Sequence, residues 1–318
     1  VGEQILENIE TEVLIQLCLV SKTWKVLAEN VLFKRWRNRF FEACESGKTK
    51  IVQLLLELLN DSELYVGLNC TKNDTGDTAF KLACYKGHKG VVKLLLNHSR
   101  SKSVNFNARD NNGDTAFINA CCVGHKEVVR LLLDHSDSKN IDLNDLNAKD
   151  NDGDTEFMLV GNAGHQDVVE LLLDYSFSKN IDLYTINDNG DNVLMLASAR
   201  EHKDVVKLLM DHPACKSINL NARDNNGYTA FIKACCFGQK EVVKLLLDHS
   251  DSKNIDFNAK DNSGIAGILL ACLKGHQYIV ELLLDYSFSK NVDLNTINDN
   301  GNNVLMIASA RENKDNVK

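Results

Sequence analysis

Proline is almost missing from this chain: Pro213 is the only one in 318 residues, so no proline-rich linker divides it. No apolar run is long enough to span a membrane and no secretory signal opens the chain. Both absences direct the expectation to an intracellular, cytoplasmic protein with no membrane role, the nucleus remaining open. Positive charge is in short supply, with 36 Lys and Arg against 44 Asp and Glu and a net charge of -8, which argues against a general nucleic-acid binder. The ten cysteines lack metal-site and disulfide-framework spacing. Most, such as Cys84, Cys121, Cys235 and Cys272, stand at small-residue positions of short helices and read as reduced core residues.

Catalytic motifs are missing too. There is no G-x-x-x-x-G-K-[ST] phosphate loop and no H-E-x-x-H zinc motif. The DNDGD turn at Asp150 imitates part of a calcium loop, but that alignment puts Ala148 and Leu159 where a hard cation needs oxygen ligands. His88, His125, His165, His202 and His276 recur at one station, which suits a structural role better than catalysis. Cys121, Cys122, Cys235 and Cys236 sit among apolar residues that blunt a thiol. The expectation is a chain that is no enzyme and uses no cofactor or metal.

What the chain has in plenty is repetition. Gly76, Gly113, Gly153, Gly190, Gly227, Gly264 and Gly301 each follow an Asp/Asn-rich stretch, with successive differences of 37, 40, 37, 37, 37 and 37 residues. A fixed period of this length marks a solenoid, whose units bury their apolar faces only against neighbours. In DNNGDTAFINACCVGHKEVVRLLLDHS, Thr115 caps a short helix with Ala116, Phe117, Ala120 and Cys121 inward; Gly124 ends it. His125 opens a second helix with a stripe of Val128, Val129, Leu131, Leu132 and Leu133. A longer rhythm lies above: YSFSKNIDL at Tyr175 returns as YSFSKNVDL at Tyr286, and NVLMLASARE at Asn192 returns as NVLMIASARE at Asn303, so a triplet of units is repeated in tandem.

On these pieces, DNNGDTAF, GHKEVVRLLL and LNAKDNDG, the chain resembles the ankyrin-repeat family. The resemblance implies an all-α solenoid of helix pairs and turns over residues 38–318, about eight units with the last incomplete. Thr-Ala-Phe stands where the family has Thr-Pro-Leu-His, and four residues added before each turn should enlarge one flank. Residues 1–37 do not follow the repeat. There Ile5, Leu6 and Ile9 precede a helix that aligns Leu14, Leu17, Val20, Trp24 and Leu27 on one side, and Leu32 to Trp36 (LFKRW) close the segment.

That segment resembles the F-box. The resemblance implies that those eight apolar residues dock the Skp adaptor of a cullin ubiquitin ligase, with the array holding an unknown target protein for modification. The alternative is a plain ankyrin scaffold whose N-terminal helices cap the stack. The F-box opening Leu-Pro would fall before Val1, and the last unit stops in its second helix at Lys318, so a fragment or trimmed chain is expected. In the ankyrin family, targets meet the turn tips and the first helices. Asp77, Asp114, Asp154 and Asp191, each just after a turn glycine, are expected to form an acidic row with about 10 Å between units, ending at Tyr228. Tyr228 and Phe237, large rings in one unit at positions the pattern does not bury, are the expected anchors.

Overall fold

The computed structural model describes residues 22–57, 68–72, 75–98, 104–141, 143, 149–179, 184–216, 218–249, 253–298 and 300–315. Ile5, Leu6, Ile9, Leu14, Leu17 and Val20 lie outside them. The chain divides into two compact units, one up to Leu143 and one from Asn144 onward. The fold is all-α, with helices laid down in pairs.

In the N-terminal unit, α1 (Lys22–Glu45) and α2 (Thr49–Glu57) form the first pair, α3 (Ala79–Tyr85) and α4 (Lys89–Asn97) the second, α5 (Ala116–Cys122) and α6 (Lys126–Lys139) the third. Only β1 (Thr71–Lys72) and β2 (Asp77–Thr78), antiparallel with Thr71 opposite Thr78, interrupt the helical pattern among the described residues. The boundary expected after residue 37 falls inside α1, which runs unbroken to Glu45. Trp24 and Leu27 lie on this helix. Its later part belongs to the array: Trp36 stacks on Phe40 with ring centroids 4.9 Å apart, and its indole Nε1–H donates to Leu55 O at 2.8 Å. Val31, Trp36 and Phe40 are buried.

The C-terminal unit continues the scheme with α7 (Glu156–Ala163) and α8 (Gln166–Lys179), α9 (Val193–Ala199) and α10 (Lys203–Asp211), α11 (Ala230–Phe237) and α12 (Lys240–Asp248), and α13 (Gly267–Lys274) and α14 (Gln277–Lys290). Helix α15 (Val304–Asp315) opens the eighth repeat. Here α9 packs between α7 and α11, and α11 between α9 and α13. Each repeat is covered by the next, as a solenoid requires.

Local chemistry explains the breaks. The hydroxyls of Thr78, Thr115 and Thr229 accept from the backbone N–H of Lys81, Ile118 and Ile232 at 3.2, 3.3 and 3.2 Å, and Asn192 caps α9 in the same way. The short helices stop at left-handed residues. At Gly87 (φ +71) an added Cβ would also meet the His125 ring at 2.6 Å, so glycine is needed twice over. That histidine ties repeats together: its Nε2 lies 2.9 Å from Tyr85 O. His88, His202 and His276 reach Glu45 O, Asn162 O and Cys236 O in the same way, and Gln239 stands in for histidine, donating to Ala199 O at 2.7 Å. Donation to a carbonyl fixes the Nε2–H tautomer. In α6 Val128, Val129, Leu132 and Leu133 of the expected stripe are buried, while Leu131 is only half-buried.

The enlarged flank has a definite origin. α6, α8 and α14 each run for 14 residues where α4, α10 and α12 run for nine. α6 and α14 end at Asn140 and Asn291, both left-handed with φ 51 and 52, and Ile141 N and Val292 N return to Ser136 O and Ser287 O. Pro213 sits just beyond α10, at the start of the 3₁₀ turn Pro213–Cys215. The eighth repeat departs from expectation. Its first helix continues through residues that in repeat five form a turn at Glu201 (φ 64), and Asn313 occupies the station of His202.

Candidate functional site

Among the described residues, six of the turns are each built on one side-chain acceptor. Asp224 Oδ1 accepts the N–H groups of Asn226 and Tyr228 at 2.9 and 2.7 Å, and Asp110, Asp150, Asn187, Asp261 and Asn298 do the same at their own stations. This is the role of Asp150 in the DNDGD stretch. Within the C-terminal unit the turns are also stitched to each other: the N–H groups of Asp188, Asn225 and Asn262 donate to Asp152 O, Asn189 O and Asn226 O at 3.2, 3.0 and 2.9 Å.

The expected acidic row is not a solvated edge. In the N-terminal unit Lys81, 1% exposed, turns its ammonium into the turns: it donates to Asp114 O at 2.6 Å, pairs closely with the Asp110 carboxylate and stands 3.6 Å from Asp77 Oδ1. Burial opposes ionisation of Asp110, but the Lys81 bond and the N–H groups of Asp114 and Asn112 overcome it and hold the carboxyl below its ordinary range. Asp114 goes the other way: burial first, then the Asp110 charge, pushes it up. In the C-terminal unit Asp154 accepts from Asn187 Nδ2 at 2.8 Å and is raised, chiefly by burial. Asp191 is 6% exposed and faces Lys233 Nζ at 2.6 Å.

Lys233 is the centre of that arrangement. It is 9% exposed and lies between Asp191 Oδ1 of the preceding repeat and Asp224 Oδ2 of its own, the latter at 2.9 Å. Desolvation would lower its pKa; the bonds to Asp191 and Asp224 win and raise it, so the ammonium stays charged. The four carboxylates thus differ from a uniform exposed row: Asp77 and Asp191 face the buried ammoniums of Lys81 and Lys233, Asp154 accepts from Asn187, and Asp114 offers Lys81 its backbone carbonyl. Sequence reasoning missed both lysines. The available signal was a single lysine inside an apolar seven- or eight-residue helix, AFKLACY and AFIKACCF, next to carboxylate-rich turns.

In repeats six and seven the station after the glycine turns apolar, with Tyr228 and Ile265. Together with Cys236 they pack on Ile232, Ala259 and Leu270. Tyr228, at a position the repeat pattern does not bury, is half-buried and serves the fold as well as the surface. Burial, then Cys236 and Asp261, pushes its phenol above the ordinary range. Burial likewise raises the Cys236 thiol, against the pull of Lys274 and Lys233, and keeps it protonated.

At the C-terminal ends of α11 and α13, which pack against each other, Phe237 is 55% exposed and Leu273 38% exposed. The two rings named from sequence, Tyr228 and Phe237, are thus brought into one repeat as shelf and rim. In the N-terminal unit the matching helix ends expose Tyr85 and Val123. The second helices carry an aromatic that the repeat pattern gave no reason to single out: Phe288 on α14 is fully exposed. Among the described residues no helix is long and apolar enough to cross a membrane.

Within each unit the stacked helix pairs and their capped turns are those of a repeat array. The family description "Ankyrin repeats (3 copies)" matches residues 40–145, 100–185, 139–217 and 157–261. These matches span residues 40–261, well over half of the chain, which belongs to the ankyrin-repeat family. No curated protein matches it. Ankyrin repeats act in protein–protein interaction, and that is the function the family assigns.

Proposed function

We propose that the chain is a target receptor without bond-breaking chemistry of its own, and that its target protein meets the shelf and rim of repeats six and seven. The observation that carries this is a pair of large exposed apolar side chains, Phe237 and Leu273, at the ends of the adjacent packed helices α11 and α13, which also carry part of the Tyr228, Ile265 and Cys236 cluster between repeats six and seven. An aromatic on a well-packed apolar floor is the usual anatomy of a binding hot spot. The carboxylates of Asp191 and Asp224 are already paired with Lys233, so recognition here is led by apolar contact and depends only weakly on salt, rather than being led by an acidic row.

The finer reading is that residues 1–37 act as an F-box and bring the target to a cullin ubiquitin ligase through the Skp adaptor. It rests on the sequence resemblance. A specific observation favours the second reading, a helical cap: Trp36 of the LFKRW run is spent on Phe40 and Leu55 of the first repeat. One pull-down from cytosol, with three baits, separates them. The parent chain should capture adaptor and target; Leu14→Ala with Leu17→Ala should lose the adaptor alone, and Phe237→Ser with Leu273→Ser the target alone. A parent chain that captures its target but never the adaptor leaves the cap.

A further inference from the structure

On the flank of the C-terminal unit, α10 and α12 stop after nine residues where α8 and α14 run for 14. The chain beyond α10 turns at once, through Pro213–Cys215. A cavity of about 250 Å³ lies between the end of α10 and the segments that follow α10 and α12, in repeats five and six. Its lining draws on both repeats.

Two lysines stand in its wall, Lys216 from repeat five and Lys253 from repeat six. Lys253 Nζ donates to Met210 O at 2.6 Å, using one of the three donors of an ammonium group. Lys216 is exposed. Asn219 and Asn254 line the same space. Cys215 lies beside them, buried, and burial pushes its thiol up to about 11 against the pull of Tyr184 and Lys253, so it stays neutral.

The station of Asn219 holds Asp256 in repeat six and Asp293 in repeat seven. All three do the same local work: Oδ1 of Asn219, Asp256 and Asp293 accepts the N–H of Asn221, Asn258 and Asn295 at 3.0, 2.9 and 2.9 Å. The loop therefore accepts either residue at this place. What the exchange alters is charge, because it puts a neutral amide instead of a carboxylate in a wall that holds Lys216 and Lys253.

We propose that this cavity binds a phosphate group, free or carried on a side chain of a protein partner. Two ammonium groups balance the charge of about −1.5 to −2 that such a group carries at neutral pH. Lysine serves phosphate as a point charge, and the side-chain amides of Asn219 and Asn254 are N–H donors for its oxygens. A carboxylate at position 219 would repel it, so Asn219 sets the preference of the site for an anion. The cavity shares no residue with the rim of Phe237 and Leu273, and neither reading rests on the other.

Isothermal titration calorimetry of the full chain at fixed ionic strength provides the test, with inorganic phosphate and N-acetyl-phosphoserine amide as separate probes. The parent should bind at least one of them with a Kd below about 10 mM. N219D installs the carboxylate of the sister repeats and keeps the loop bond, so its thermal midpoint should match the parent's while affinity falls at least about tenfold. K216M should weaken binding to a similar extent, and K274M, which changes an exposed lysine elsewhere, should leave it unaltered. Tighter binding of inorganic phosphate assigns the free ion, and tighter binding of the phosphoserine probe assigns a phosphorylated side chain; both support the site. No saturable binding of either probe, or an N219D chain that binds as the parent does, would overturn it.

Discussion

Replacing Lys233 by Ala should destabilise the C-terminal unit by about 3 kcal/mol, because it strands two carboxylates that the fold has turned inward. Asp191 and Asp224 would be left within a few ångströms of each other with no cation, and Asp191 is already pushed up by burial. The cost belongs to the broken pair and not to the lysine itself. Combining K233M with D191N and D224N should therefore recover most of the loss, and the turn would survive, since Asn187 and Asn298 fill the Asp224 role in repeats five and eight. Denaturant titration of the three proteins gives the answer: a K233A midpoint equal to the parent's would mean that the ion pairs are not coupled to folding. The pH dependence has a fixed sign. Pairing raises the Lys233 pKa, so its contribution is complete below the ordinary lysine range and is lost as pH rises through the raised value.

The second large effect is expected at Leu132. Its side chain is 0% exposed on α6, which packs against α4, and Leu132→Asp would bury a carboxylate with no partner. A loss of about 5 kcal/mol follows, more than the roughly 3 kcal/mol of a Leu→Ala cavity, because desolvation is added to lost packing. The damage should spread to neighbouring repeats, since a repeat is stable only against the ones it touches. Thermal unfolding followed by circular dichroism would show a lowered midpoint. An unchanged midpoint would mean that the stripe was assigned to the wrong face.

Much of this could be read from sequence because the repeat restates it. Thr115 and Gly124 report a cap and a stop through interactions within one repeat, and the VVRLLL stripe reports a buried face because its helical spacing recurs in every repeat. What stayed hidden depends on neighbours. The direction of Asp191 is set by Lys233, 42 positions away and one repeat on, and no local pattern states that a carboxylate beside a turn glycine faces inward. Tyr228 was legible as unusual but not as half-buried, because its floor includes Ala259 and Leu270 of the following repeat. The run of α1 across residue 37 was hidden for a related reason: Trp36 fits the LFKRW resemblance and the first repeat equally well, and its bond to Leu55 O, 19 positions on, is not written in the local sequence.

The central claim, that the shelf and rim of repeats six and seven receive the target, is tested most directly by a photo-crosslinking residue placed singly at positions 237, 273 and 288 of the full chain in cytosol. Phe288 is the internal control, because it is the more exposed ring yet lies on the other helix layer. Crosslinks to one and the same protein from positions 237 and 273, with none from 288, are the predicted result. A target that crosslinks from 288 and from neither of the other two would contradict the account and move the binding face to the second helices.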